Sequence, residues 1–378
     1  MIKRVLQKKI EDKLFKGKAI IVIGARQVGK STLFNQIASR IDLPTIKLNC
    51  DEPEVKEMLT NTNSQELKLL IGNSRIVIID EAQRVPSIGM TLKLITDNFP
   101  EVQLLVTGSS SLELQNKLNE PLTGRKFEYH LFPISTEELF LTGGILEVKQ
   151  NLENRLIYGS YPDILNHKDN ARELLSNIAN SYLYKDILTL ENIRKPQLLE
   201  KLLIALALQV GSEVSFNELA QTIGSDSKTV EKYIDLLSKC FIVFQLNAFN
   251  RNLRTELKKS KKIYFYDNGI RNAIIQNFAP LAMRQDTGAL WENFFISERI
   301  KANHYNANYA KPYFWRTTQQ QEIDYIEEVD GTFYTFEMKW NTKKTKNNIP
   351  EPFKQAYSIK EFTTITPDNY FEWLTKLS

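Results

Sequence analysis

Residues 19–38 read AIIVIGARQVGKSTLFNQIA. An apolar run, Ala19–Ile23, leads into Gly24-Ala25-Arg26-Gln27-Val28-Gly29-Lys30-Ser31, and apolar residues then recur at helical spacing at Leu33, Phe34 and Ile37. A strand, a glycine-bounded loop and a helix in this order make a phosphate-binding loop. The glycines let backbone N–H groups approach phosphate oxygens, and the helix N-terminus favours the anion. The pattern assigns Gly24, Ala25, Arg26, Gln27, Val28, Gly29, Lys30, Ser31 and Thr32 to a bound nucleotide. Lys30 would reach the β- and γ-phosphates, and the Ser31 hydroxyl would bind Mg²⁺.

Downstream, RIVIIDEAQRV (residues 75–85) carries a continuous apolar strand that ends in Asp80-Glu81. Such a strand suits a buried parallel sheet. Asp80 would hold the Mg²⁺ shell, and Glu81 would orient and activate an attacking water. VQLLVTGSSSL (residues 102–112) is a second buried strand with a polar end. Thr107 and Ser109 would project near the γ-phosphate if it lies beside the Asp80 strand. Ser109 is the favoured sensing residue, with a Ser-rich helix cap before Leu112 as the structural alternative. In LTGRKFEYHLFPISTEEL (residues 122–139), Arg125 is a candidate charge stabiliser, in cis or from a neighbouring subunit; a solvated surface arginine is the other reading.

The stretches GARQVGKST, IIDEAQ, LLVTGSSS and LTGR together resemble the bacterial and archaeal AAA+ ATPases (AAA_14-type) whose C-terminal half is the family DUF4143. YGSYPDIL (158–165) and SYLYKDIL (181–188) are similar to the same family. The resemblance covers nearly the whole chain and implies ATP as the ligand.

Composition agrees with a multidomain soluble protein. A chain of 378 residues is long for one domain, and its net charge of +4 permits nucleic-acid binding without arguing for it. No apolar run is long enough to span a membrane. The N-terminus, MIKRVLQKKIEDKLFKG, reads as a basic amphipathic helix without the apolar core or cleavage site of a signal peptide. Cys50 and Cys240 lie in apolar contexts and read as buried free thiols, which fits a cytoplasmic location. Three scattered histidines exclude a Cys/His zinc site.

Residues from about 150 to 205 carry helical periodicity. VSFNELAQTIGSDSKTVEKYIDLLSKCFIVFQL (214–246) predicts a helix Phe216–Ile223 stopped by Gly224, and a second helix capped by Ser225, Asp226 or Ser227 and running through Leu237. A strand at 241–246 follows. That order is a helix-turn-helix with a wing. Lys228, Thr229 and Lys232 would enter a DNA groove, and the wing residues Arg251, Arg254, Lys258, Lys259, Lys261 and Lys262 would meet phosphates. Interdomain or protein–protein docking is the alternative, and the nearby Glu231 and Asp235 weigh towards it.

EIDYIEEVDGTFYTFEMKW (322–340) reads as a hairpin around Asp330-Gly331, since both turn positions need φ > 0. A two-residue turn sets Val329 opposite Thr332, Asp324 opposite Glu337, and Glu322 opposite Lys339. One face carries Ile323, Tyr325, Val329, Tyr334, Phe336 and Met338. The other carries Glu322, Asp324, Glu337 and Lys339, and reads as solvated, with a Glu322–Lys339 ion pair, unless it does chemistry. Asp324 opposite Glu337 places like charges about 5 Å apart, which is destabilising without a cation between them. With a preceding helix (287–301), a strand at 312–317, a helix at 349–359, a strand at 361–366 and a last helix at 369–377, the αβββαβ order resembles the PD-(D/E)XK nuclease core. That resemblance makes Asp324 and Glu337 ligands of Mg²⁺ or Mn²⁺ and Lys339 a catalytic lysine. It makes Glu292 an additional metal-binding acid.

The expected architecture is an α/β chain. It has an AAA+ P-loop parallel-sheet domain (1–145), a helical lid or connector (146–205), a winged helix-turn-helix (206–275) and a PD-(D/E)XK nuclease-like DUF4143 domain (276–378). The expected activity is Mg²⁺-dependent ATP hydrolysis that controls a C-terminal region acting on nucleic acid. The alternatives are a regulatory ATPase with an inactive nuclease-like fold and protein partners, and a chaperone-like machine, for which no pore-loop signature is present.

Overall fold

The computed structural model describes residues 2–108, 121–180, 195–250, 261–317, 319–341 and 349–375. The chain divides into two compact units, Met1–Pro133 with Lys239–Phe241, and Ile134–Ser238 with Ile242–Ser378.

In the first unit, strands β1 (Ala19–Ile23), β2 (Thr45–Asn49), β3 (Ile76–Asp80), β4 (Gln103–Gly108) and β5 (Lys126–His130) pair in parallel in the order β2-β3-β4-β1-β5. Parallel strands are covered on both faces, and the continuous apolar runs of β1 and β3 are buried accordingly. β1 and β3 are not neighbours, because β4 lies between them. The helix Lys30–Ile41 starts directly after the β1 loop, and it buries Leu33, Phe34 and Ile37 as the spacing predicts. The basic N-terminus forms the short helix Val5–Glu11. The residue before it, Arg4, is buried and donates to the carbonyls of Val28 (2.7 Å) and Phe132 (2.6 Å).

The second unit starts with helices Thr136–Gln150, Leu152–Tyr158, Pro162–Asn166 and Ala171–Ile178, followed by Pro196–Leu208. Its strands are β6 (Glu213–Val214), β7 (Val243–Ala248), β8 (Lys261–Phe265), β9 (Lys311–Arg316), β10 (Glu322–Val329), β11 (Thr332–Met338) and β12 (Ile359–Ile365). They form one seven-stranded sheet in the order β12-β11-β10-β9-β7-β8-β6. β6, β8 and β7 are antiparallel, β9, β10 and β11 form an antiparallel meander, and β12 runs parallel to β11. The two groups join where β7 pairs with β9 through Asn247–Tyr313 and Ala248–Phe314. Strands on both sides of residue 276 therefore share one sheet.

Local signals account for most boundaries. Phe216–Ile223 ends at Gly224, whose φ of 73° suits a residue without Cβ. The second helix runs Ser227–Lys239, and of the three possible caps Asp226 accepts the Thr229 N–H (2.9 Å). The hairpin turn has Asp330 at φ 49° and Gly331 at φ 76°, and Val329 faces Thr332. Two expectations change. Ile326 and Phe333, on the outer face of the hairpin, are buried with Trp315 and Phe353, so that face is covered rather than solvated throughout. The last expected helix is only a 3-10 turn, Tyr370–Trp373, among the described residues.

Charge is buried beside this sheet and is compensated. Glu298, on the long helix Thr287–Tyr305, meets Arg155 at 3.0 Å and Lys301 at 2.7 Å. It also accepts the backbone N–H (2.6 Å) and hydroxyl (2.8 Å) of Thr136, the first residue of its helix. Burial acting alone would raise the Glu298 pKa; Arg155, then Lys301, outweigh it and hold it down at about 2, against 4.5 for a free glutamate. This stabilisation is present above pH 4.5 and is lost as the pH falls towards 2. Glu298→Gln leaves two buried cations without their shared carboxylate and is expected to cost about 3–5 kcal/mol at pH 7. Denaturant unfolding at pH 7 and at successively lower pH should show the gap to wild type closing as Glu298 is protonated.

Candidate functional site

The P-loop leaves the carboxyl end of β1 with Gln27 at φ 59° and Gly29 at φ 94°. Gly24 cannot carry a side chain, since a Cβ there would collide with the Leu131 carbonyl oxygen. Lys30 is buried, and its Nζ donates to the carbonyls of Gly24 (3.1 Å) and Ala25 (2.9 Å). Burial lowers its pKa to about 8, against the pull of Glu81 and Asp80. The Ser31 hydroxyl donates to Asp80 Oδ2 at 2.7 Å. These are hard oxygen donors on adjoining loops, and they suit a divalent cation. Thr107, at the end of the intervening β4, donates to Asp80 Oδ1 and accepts the Glu81 N–H (3.1 Å). Glu81 adopts φ 53° and holds Gln83 Nε2 at 2.6 Å, with an Arg26 nitrogen 3.9 Å away.

Parallel order thus brings Lys30, Ser31, Asp80, Glu81 and Thr107 to one end of the sheet. Ser109 lies outside the described residues. Arg125 goes elsewhere. Its carbonyl accepts the N–H of Ala19, the first residue of β1, so it lies at the amino end of the sheet. The P-loop is about 15 Å away along five residues of strand. Its guanidinium pairs with Asp97 at 2.6 Å, and the structure does not bring it to the P-loop of its own chain. Parallel pairing of β5 with β1 is the reason, and the sequence carried no sign of it. Arg4, which braces the back of the P-loop at Val28, was also not singled out by the sequence reading.

In the second unit, Tyr325 faces Phe336, which sets Asp324 opposite Glu337 as the turn predicts. The charges pair differently from expectation. Lys339 meets Glu337 at 2.6 Å rather than Glu322. Glu322 instead meets Lys262 of β8 at 2.5 Å and Arg316 at 3.8 Å. The same Lys262 lies 3.2 Å from Glu292, whose Oε1 also accepts the Tyr264 hydroxyl at 2.6 Å. Asp324 accepts the Met338 N–H at 2.9 Å, and burial, with Glu292 adding, pushes its pKa up to about 7. Among the described residues, no group of three or more His, Cys, Asp or Glu side chains is arranged to hold a metal ion. The expected set Glu292, Asp324 and Glu337 is therefore not assembled as a metal centre. Lys262 bridges Glu292 and Glu322, and Lys339 pairs with Glu337. The reason is long-range: β8 enters the sheet through β7, and no local pattern announces that.

The basic features of the middle region are also redistributed. Arg251, Arg254, Lys258 and Lys259 lie outside the described residues. Lys261 donates to Gln245 (3.0 Å), and Lys262 is buried rather than displayed on a wing. The Thr229 hydroxyl donates to the helix cap Asp226 at 2.7 Å, so it is engaged at the start of its own helix. Lys228 and Lys232 remain exposed on that helix. Cys50 and Cys240 are buried free thiols. No helix among the described residues is long and apolar enough to cross a membrane.

Residues 16–140 match the model of an AAA domain, 149–281 that of a domain of unknown function (DUF8612), and 287–368 that of another (DUF4143). An uncharacterized protein of Mycobacterium tuberculosis is 26% identical over 334 residues, covering 86% of this chain and 71% of its own length. An uncharacterized protein of Haemophilus influenzae is 26% identical over 363 residues, covering 89% and 87%. Among solved structures, a Walker-type ATPase of Pyrococcus abyssi superposes with a TM-score of 0.51 at 16% identity, over 73% of this chain and 96% of that one. The chain thus joins an AAA-type P-loop domain to a DUF4143 domain.

Gly24→Ala tests the loop geometry. Forcing a methyl group against the Leu131 carbonyl is expected to cost about 1–3 kcal/mol or to shift the loop. A lowered thermal midpoint in the full chain is the expected readout, and an unchanged one would contradict the close approach.

Proposed function

We propose that this chain, an AAA-type P-loop domain joined to a DUF4143 domain, binds and hydrolyses ATP with Mg²⁺. The observation that supports this most is the contact of Ser31 with Asp80 at 2.7 Å, beside Lys30 at the start of its helix. The loop from Gly24 to Thr32 would hold the phosphates, and Lys30 would leave the Gly24 and Ala25 carbonyls for the β- and γ-phosphates. Ser31 and Asp80 would hold Mg²⁺, which supplies charge neutralisation at the phosphates. Glu81 would orient the attacking water, and Thr107, bonded to both Asp80 and Glu81, is positioned to relay the state of that site. Ser109 keeps its proposed sensing role on sequence grounds alone.

For the second unit we propose a winged helix carried on a nuclease-like core, serving as a binding region whose partner is nucleic acid. The helix–strand–helix–turn–helix–strand–strand order of residues 196–265 supports the first part, and the helix–three-strand–helix–strand order of residues 287–365 supports the second. Exposed Lys228 and Lys232 would be phosphate contacts. The lysine-filled carboxylate cluster favours binding over cleavage, so no metal-dependent step is assigned to Asp324, Glu337 and Lys339.

ATP turnover and nucleotide binding of the wild type, Lys30→Ala and Glu81→Gln test the first reading. Lys30→Ala should lose both. Glu81→Gln should keep binding and lose turnover by about 100-fold or more. Unchanged values in both variants would refute it. For the second, binding to DNA should weaken steeply with salt, and Lys228→Ala with Lys232→Ala should flatten the slope by roughly 2. Absence of binding at low salt points to a protein partner. Nucleic-acid cleavage in Mg²⁺ or Mn²⁺ that Glu337→Ala and Lys339→Ala abolish would overturn the binding-only assignment.

A further inference from the structure

Lys262 is 2% exposed, and it sits on β8 beside the two-residue end strand of the sheet, β6. A buried ammonium is costly unless oxygen atoms surround it. Here they do: Glu322 Oε1 at 2.5 Å and Glu292 Oε1 at 3.2 Å. Asp324 adds to the field that holds the lysine charged. The ring of Phe314 lies 5.4 Å from the same nitrogen. Tyr264, two residues on and on the same face of β8, donates to the same Glu292 oxygen at 2.6 Å. Gly211 backs Glu292 closely, since a Cβ there would stand 3.4 Å from its Oε1. The carboxylates come from the Thr287–Tyr305 helix and from β10, while the cation comes from a strand on the far side of β7 and β9.

A divalent cation in this cluster would need its oxygen ligands at roughly 2.0–2.6 Å. The ammonium nitrogen occupies that volume already. We propose that Lys262 is a tethered counter-ion: its ammonium fills the place between Glu292 and Glu322 that a divalent cation would need, and so keeps the cluster closed to metal. The inference does not depend on the ATPase reading, because every residue in it belongs to the second unit.

The test uses the full-length chain without nucleotide. Mn²⁺ binding is followed by electron paramagnetic resonance and by the thermal midpoint. Wild type is expected to show no Mn²⁺ binding that Asp324→Asn removes. Lys262→Met is expected to melt lower without metal and to recover with Mn²⁺, binding one additional ion at least roughly tenfold more tightly than wild type. The double variant Lys262→Met/Asp324→Asn should lose both the ion and the recovery. A purely structural lysine would lower the midpoint with no metal-dependent recovery. Should Lys262→Met fail to fold, Lys262→Gln removes the charge and keeps a polar end, with the same expectation. The proposal is overturned if wild type binds Mn²⁺ through Asp324, or if a folded neutral variant gains no ion.

Discussion

The contact between Ser31 and Asp80 depends on β4 lying between β1 and β3. Two loops from non-adjacent strands meet here across the end of the strand between them. There the Thr107 hydroxyl donates to Asp80 and accepts from the Glu81 backbone. A larger or apolar residue there would separate the two loops or leave the Glu81 N–H without a partner. The P-loop is braced from behind by Arg4, whose guanidinium joins the Val28 and Phe132 carbonyls. The first unit therefore fixes its site from the sheet upward, with little left to the loop's own preferences.

The second unit is organised by compensation of buried charge. Arg155, Glu298 and Lys301 form one cluster, Arg299 and Glu327 a second, and Lys262, Glu292 and Glu322 a third. Each joins elements far apart in sequence. Such clusters add little net stability relative to well-packed apolar residues, but removing one partner is expensive, so they hold a particular arrangement in place. Glu298 also closes the amino end of the Thr136–Gln150 helix, which makes it a support for the start of the unit and for the long helix together.

The hairpin shows how far local chemistry reaches. Asp330-Gly331 demands positive φ at two successive residues, and that alone fixes the register, so the pairing of Asp324 with Glu337 was legible. What stands between and around those carboxylates was not. The like-charge argument asks for a cation but does not say which; in the structure Lys339, just past β11, pairs with Glu337, and Lys262 of β8 pairs with the nearby Glu322 and Glu292. The same limit applies to Thr229, which was expected in a DNA groove and instead donates to the helix cap Asp226.

Sequence by itself determined the P-loop, the acidic pair closing β3, the glycine stop at residue 224, and the helix–three-strand–helix–strand order of residues 287–365. These rest on short-range causes: backbone dihedrals, hydrophobic period and glycine at close approaches. The tertiary structure alone decided that Arg125 lies at the amino end of the sheet, that Arg4 supports the loop, and that two groups of strands merge into one sheet through β7 and β9. Strand order and long-range ion pairs are choices among arrangements with the same local pattern. They are settled by which buried groups find partners, and a linear sequence does not display that.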